Sequence, residues 1–184
     1  MRDVEAIWPC RKINITQKLK IYKTIVKSVL TYNYSTWGLT KSQTEELDRT
    51  HRKQLRKIWN DPYKQNKHLY RDSKEVPLNI EMKRARWRAF GHMLRLDDET
   101  PCQLAMREYF NIPEKHKKYS GRKRCTLPVI IDEDLKEAAV NNLLPVSKFE
   151  NFIDLQNLKK VAEDRNKWRK FSELICKQAE DNDH

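Results

Sequence analysis

Only three glycines occur among 184 residues, and that scarcity restricts the fold more than any other feature of the chain. Tight hairpin corners place residues at positive φ, which glycine adopts at little cost and other residues resist. A chain this poor in glycine makes few such corners. Apolar residues recur instead at spacings of three and four, the period of an amphipathic helix. The sequence reads as an all-α fold with short loops.

The length allows one compact domain or two small ones, since a single core commonly serves roughly 100 to 200 residues. With 38% hydrophobic and 35% charged residues, each helix must bury one stripe and leave the rest to solvent. A thin helical array is expected. Lys and Arg outnumber Asp and Glu by 38 to 26, a formal net charge of +12, the balance of a chain that meets phosphate or another polyanion.

The excess is concentrated. Residues 1 to 125 carry 29 basic and 14 acidic side chains, and residues 126 to 184 carry 9 and 12. Between them Pro113, Lys115, Lys117, Lys118 and the run Ser120-Gly121-Arg122-Lys123-Arg124 interrupt any helical pattern and read as a basic linker. The expected organisation is an N-terminal tail (1–15), a basic helical domain (16–110), the linker (111–125) and a smaller C-terminal helical segment (126–184).

Cys10, Cys102, Cys125 and Cys176 stand singly, without the paired spacing of a zinc site or redox motif. No secretory segment or apolar run long enough for a bilayer is present. An intracellular setting without a membrane partner is expected. The two basic clusters around the linker suit either nuclear import or phosphate contact.

The first helix is expected from Thr16 to Trp37, with Leu19, Tyr22, Val26, Val29 and Trp37 at helical spacing and Gly38 as its stop. A second starts at Ser42, with Ser42 and Glu45 as a capping box, buries Leu47, His51, Leu55 and Ile58, and ends before Asp61-Pro62. The short connection makes the pair an antiparallel hairpin, packed on a third, central helix from Leu78 to Leu94. Thr100, Pro101 and Gln103 mark a capped restart to about Phe110, and Pro128 opens a fifth helix with Ile131, Leu135 and Ala138. One last long helix carries Leu158, Val161, Trp168, Phe171 and Ile175, followed by an acidic tail. No internal repeat is evident.

On the second helix Arg49, Arg52, Lys53 and Arg56 share one face, and Lys20, Lys23 and Lys27 line the first. One such stripe is most simply a solvated face. Two stripes on a hairpin, with Arg84 and Arg88 on a third helix and Arg95 at its end, point instead to a polyanion that relieves their mutual repulsion. Tyr32, Tyr34, Trp59, Tyr63 and Tyr70 lie among these cations. Most aromatics at helical spacing are core, so Tyr63 and Tyr70, outside the strongest periodic segments, are the better candidates for stacking on bases.

Nothing in the sequence assembles into a catalytic centre or implies a cofactor. Asp97-Asp98 is an adjacent aspartate pair, but Arg95 and Thr100-Pro101 around it fit a polar loop before a helix. Asp132-Glu133-Asp134 is explained by attraction to a helix N-terminus. His92 has no nucleophile or carboxylate at a readable spacing, and a packed or hydrogen-bonded ring is expected.

Several blocks carry a more specific pattern: KLKIYKTIVKSVLTYNYSTWGLT (Lys18 to Thr40), HRKQLRKIW (His51 to Trp59), RWRAFGHMLR (Arg86 to Arg95) continued by TPCQLAMREYF (Thr100 to Phe110), GRKRCTLPVIIDEDL (Gly121 to Leu135) and DRNKWRKF (Asp164 to Phe171). In this order they resemble the region after the polymerase core in reverse transcriptases of non-LTR, LINE-type retrotransposons, closest to the RTE-like elements. Tyr32, Trp37, Trp87, Gly91, His92, Gly121, Asp134 and Trp168 stand at the family's motif positions. The family's glycine-arginine-proline reads Gly121-Arg122-Lys123 here.

The resemblance implies a thumb and C-terminal region that grips primer-template duplex or template RNA, with the palm and endonuclease of the family lying upstream of Met1. On that expectation the isolated chain is not an enzyme. It holds RNA, RNA-DNA hybrid or DNA through Lys20, Lys23, Lys27, Arg49, Arg52, Lys53, Arg56, Arg84, Arg88, Arg95, Arg122, Lys123 and Arg124. The alternative is a helical interaction module whose bared core residues Tyr34, Trp37 and Trp87 meet an upstream polymerase domain or a second copy.

Overall fold

The computed structural model describes residues 6–112, 125–140 and 144–181, with side chains as far as Cys176. Every regular element among them is helical, and no strand occurs among the described residues. The chain forms two compact units, one up to Met82 and the other from Lys83 onward. The division falls inside a helix, and most of the linker expected over 111–125 lies outside the described residues.

The first unit opens with α1 (Ile15–Ile21), a π-helical stretch (Tyr22–Lys27) and a final α-turn, α2 (Ser28–Leu30). Asn14 and Gln17 close a capping box at its start. Serine and threonine hydroxyls explain the irregular middle. Thr24 donates to the Lys20 carbonyl at 2.9 Å, Ser28 to that of Thr24 at 2.6 Å and Thr31 to that of Lys27 at 2.7 Å. Such back-bonding competes with the i−4 ladder and bends helices, and a π-turn accommodates the competition by shifting to i→i+5 bonds.

The widened turn also resets which face is inside. Lys18, Tyr22 and Val26 are buried at steps of four, whereas Val29 is 75% exposed and is not the core residue its helical spacing implied. The helix ends at Leu30 rather than Trp37. Asn33 takes left-handed φ of 52°, a 3-10 turn covers Tyr34–Thr36, and Trp37 is extended.

α3 (Lys41–Trp59) begins one turn-residue earlier than expected. Its capping box is Thr40 with Gln43, not Ser42 with Glu45, because Thr40 has the extended backbone that a cap requires. Asn60 at φ 52° ends it. The α1 and α3 segments run antiparallel: the Tyr22 hydroxyl meets His51 Nδ1 at 2.6 Å, while Trp8, whose carbonyl Lys18 holds, reaches Gln54 at 3.1 Å. Trp8 is 4% exposed, so the expected tail contributes to the core.

α4 (Asn66–Ser73) is a helix that periodicity did not reveal, being too short to show a stripe. It buries Leu69 against Trp8, Tyr22, Val26, Leu55 and Ile58. The next helix, α5 (Leu78–Leu94), has the bounds expected. The buried Asp48 carboxylate of α3 accepts the Leu78 and Asn79 backbone N–H groups and so satisfies donors at the α5 N-terminus. The first turn of α5, up to Met82, belongs to the same unit as the hairpin.

The second unit holds the rest of α5 with α6 (Pro101–Asn111), α7 (Leu127–Ala139), α8 (Phe152–Glu163) and α9 (Arg165–Asp181). Its core gathers Trp87, Phe90, Leu94, Ile131, Leu135, Leu158, Trp168, Phe171 and Ile175. Thr100 makes no side-chain cap; its hydroxyl turns back to the Asp97 carbonyl at 2.7 Å, and Gln103 donates to the Met93 carbonyl. The single last helix is in fact two. Asp164, at φ −88° and ψ 108°, leaves the helix, and its carboxylate accepts the N–H groups of Asn166 at 2.8 Å and Lys167 at 3.1 Å to start α9.

Candidate functional site

The cations expected to line the hairpin are only partly free for an outside ligand. Lys20, Arg49 and Lys53 are exposed. Lys23 pairs with Glu75 at 2.8 Å, and Lys27, with a side chain 13% exposed, pairs with both Glu75 and Glu81. Lys27 is thus an internal ion-pair partner and not a rung of a phosphate ladder. Arg56 donates to the Lys64 carbonyl at 3.0 Å and to Asn66 Oδ1 at 2.7 Å, which ties α3 to the start of α4. Arg52 is half-buried and reaches the Tyr70 hydroxyl at 3.5 Å.

Burial organises the groups beside these lysines. Desolvation lowers the His51 pKa from 6.5 to about 4, aided by the charge of Lys27. The Tyr22 hydroxyl is pushed above its usual range by burial and then by Glu75. Burial pulls the Lys27 amine down, but the hydrogen bonds it donates to Glu75 and Glu81 outweigh that and hold the amine above its ordinary value. Burial likewise works against Glu75, whose carboxyl Lys23 and Lys27 nevertheless hold below the usual range.

The aromatics divide similarly. Tyr63 is 92% and Tyr32 78% exposed. Tyr70 is half-buried with its ring stacked 6.0 Å from that of His51, which corrects its reading as a base-stacking candidate. Trp59 lies under the Lys64 ammonium, 4.3 Å from the ring centre. Trp87 is fully buried, so it does not mark a bared interface; Tyr34 and Trp37 are half-buried.

The second unit builds a more concentrated arrangement. Arg84 and Arg88 on α5, Arg95 just beyond it, and Arg165 and Arg169 on α9 border one cleft of about 610 Å³, together with Trp168, Ser172, Glu173 and Cys176. Among the described residues Glu173 is the carboxylate on this border, and it pairs with Arg169 at 3.1 Å. Arg95 also donates to the Ala162 carbonyl at 3.2 Å. Arginines from two helices thus border one concavity, and guanidinium forks match phosphate oxygens two at a time.

Arg165 and Arg169 were not among the sequence candidates. Their signal was present, since each follows the i, i+4 spacing of Arg84 and Arg88, but the acidic balance of residues 126 to 184 masked it.

Four of the motif positions explain how the cleft is held. Asp134 is buried on α7 and accepts from Trp87 Nε1 at 2.9 Å and Arg86 at 3.2 Å, with Lys83 at 3.4 Å. It sits in the second turn of its helix and anchors α5, which corrects its reading as a partner of the helix N-terminus. Gly91 faces Trp168, and Trp168 Nε1 donates to the Trp87 carbonyl at 3.1 Å.

The remaining candidates are dispersed. His92 is exposed rather than packed, because it projects from α5 on the side away from Trp87, Phe90 and Leu94. Asp98 pairs with Lys159 and Asp97 accepts the Glu99 N–H at 2.9 Å, as suits a polar loop. Gly121, Arg122, Lys123 and Arg124 lie outside the described residues. Among the described residues no cluster of His, Cys, Asp and Glu converges to hold a metal, and no helix is long and apolar enough to cross a membrane. No protein-family model, curated protein or solved structure matches the chain.

Proposed function

We propose that the chain is a nucleic-acid-binding module, the post-palm region of a LINE-type reverse transcriptase, which grips RNA, RNA-DNA hybrid or DNA through arginines and has no catalytic part of its own. The observation that carries this reading is the cleft bordered by Arg84, Arg88, Arg95, Arg165 and Arg169. Like charges held together repel, and a phosphate backbone that sheds its condensed counterions relieves that repulsion. The order of the five sequence blocks supports the family assignment. So does the meeting of Trp87, Gly91, Asp134 and Trp168 in one packed node.

The test is a binding titration at increasing salt with a labelled RNA, an RNA-DNA hybrid and a DNA duplex. A steep fall of affinity with salt is expected for at least one of them, flattened by changing Arg84, Arg88, Arg165 and Arg169 to Glu. Weak, salt-independent binding to all three would remove the reading.

A second reading has its own support. Ile25, Val29 and Tyr32, 51%, 75% and 78% exposed, follow one another at i, i+4 and i+7. Exposed apolar side chains this close together in the chain favour association with another chain or a second copy. Sedimentation across a concentration series tests it, and a monomer at every concentration would count against self-association.

A further inference from the structure

Two stretches of the sequence share one pattern: Arg84-Ala85-Arg86-Trp87-Arg88 on α5 and Arg165-Asn166-Lys167-Trp168-Arg169 on α9. In each, the outer arginines stand one helical turn apart and the tryptophan lies on the adjoining stripe that enters the core. The two tryptophan rings pack with centroids 5.6 Å apart, and Trp168 donates to the Trp87 carbonyl. The missing side chain of Gly91 allows the helices to approach this closely. Trp168, with Trp87 packed behind it, therefore borders the cleft, and each helix contributes its own pair of arginines to it.

We infer that this cleft holds one sugar-phosphate strand lengthwise and so takes single-stranded nucleic acid in preference to duplex; the inference rests on the polyanion-binding function proposed above. Cations on two facing walls neutralise a single line of phosphates from both sides. A duplex is far wider, its major groove alone being about 12 Å across, and would rest on the rim against one wall.

The volume, about 610 Å³, falls within the roughly 300 to 1,000 Å³ of sites that enclose one small molecule. That is room for a short stretch of one strand at a time. Lengthwise, the eleven residue steps from Arg84 to Arg95 span about 16 Å of helical rise, enough to face several successive phosphates.

Among the described residues Trp168 is the ring on the border, and at 5% exposed it offers the bases little platform, so bases point away and binding is indifferent to sequence. The α9 N-terminus does not hold the phosphate either, because Asp164 already accepts the N–H groups of Asn166 and Lys167. Glu173, paired with Arg169, competes with the ligand, and its removal strengthens the grip.

The test uses the full chain and fluorescence anisotropy with labelled RNA and DNA single strands of about a dozen mixed nucleotides, against a duplex of equal length. Single strands are expected to bind roughly tenfold more tightly, with log K falling against log salt at a slope of about −2 to −3, as a few phosphate contacts on a single strand require. The pair R88E/R165E weakens single-strand binding by roughly tenfold or more, the milder R88Q/R165Q by less, and E173Q strengthens it. The first-unit pair R49E/K53E, which changes the net charge equally, weakens it clearly less than R88E/R165E does. Circular dichroism melts establish that the exposed-site variants remain folded.

Equal or tighter duplex binding overturns the inference. So does single-strand affinity that survives R88E/R165E in folded protein, or inorganic tripolyphosphate that binds as tightly as the oligonucleotide. Duplex binding that depends on Arg49 and Lys53 overturns it while leaving the broader function standing. Failure to bind any nucleic acid removes both.

Discussion

Gly91 and Trp168 touch so closely that a Cβ on Gly91 would lie 2.0 Å from the indole nitrogen and 2.4 Å from the adjoining ring carbon. The contact is with a buried ring whose N–H already holds the Trp87 carbonyl, so the ring cannot swing aside without losing that bond. Gly91→Ala is expected to destabilise the second unit by about 1 to 3 kcal/mol, the cost of overpacking a filled core. Urea unfolding followed by tryptophan fluorescence measures it. A variant as stable as the parent would show that α5 and α9 do not approach this closely.

Asp134 is buried and serves three donors, Trp87, Arg86 and Lys83. Asp134→Ala leaves Arg86 without this carboxylate, while Lys83 keeps Glu137 at 3.0 Å, and removing one partner of such a buried group costs about 3 to 5 kcal/mol. Asp134→Asn keeps an acceptor for the indole but loses the charge, and the smaller part of the loss is expected. Comparable losses for the two variants in chemical denaturation would argue that the carboxylate's charge is irrelevant to the fold.

Stability should depend on pH through the buried cluster of the first unit. His51 titrates near 4 when folded against 6.5 in the ordinary case, so the unfolded chain binds a proton that the folded chain refuses. This contribution is complete above about pH 6.5 and is lost as the pH falls toward 4, the loss there reaching roughly 3 kcal/mol. Glu75, whose carboxyl is depressed, acts in the same direction at more acid pH. Lys27 is raised, so its contribution is present below its ordinary pKa and disappears as the pH rises past it. Denaturation midpoints that stay level between pH 7 and pH 4 would contradict the buried neutral imidazole, and an NMR titration of the ring would locate the fault.

The cap of α3 separates two neighbouring hydroxyls. Thr40 accepts the Gln43 N–H at 3.3 Å, and Gln43 returns the bond at 3.0 Å. Thr40→Ala is expected to cost about 1 kcal/mol and Ser42→Ala almost nothing. The reverse order in thermal melts would restore the cap position that sequence spacing favoured.

What was legible in the sequence follows the strength of the local signal. The bounds of Leu78–Leu94 were readable because large apolar residues recur throughout, and the buried ends Ile80 and Leu94 agree with them. The fate of Lys23 and Lys27 was not, since their partner Glu75 is some fifty residues away and nothing local says that it folds back. The break at Asp164 was hidden because Leu158, Val161 and Trp168 keep an acceptable helical spacing across it. The arginines of the cleft were half visible. Arg84, Arg88 and Arg95 stood out in a basic stretch, whereas Arg165 and Arg169 needed the contact of Trp87 with Trp168 to join them.

The π-helical stretch from Tyr22 to Lys27 acts as a rotational register for everything that follows it in that helix. Deleting one residue there would turn the downstream end by about 100°, the angular step of a regular helix. Val29 and Tyr32 would then sweep to a new azimuth, and whatever they now display to water would be withdrawn. The position of this helix's outward apolar face is thus set by the length of the segment before it, and a change in residue count would move that face where a change in residue type would not.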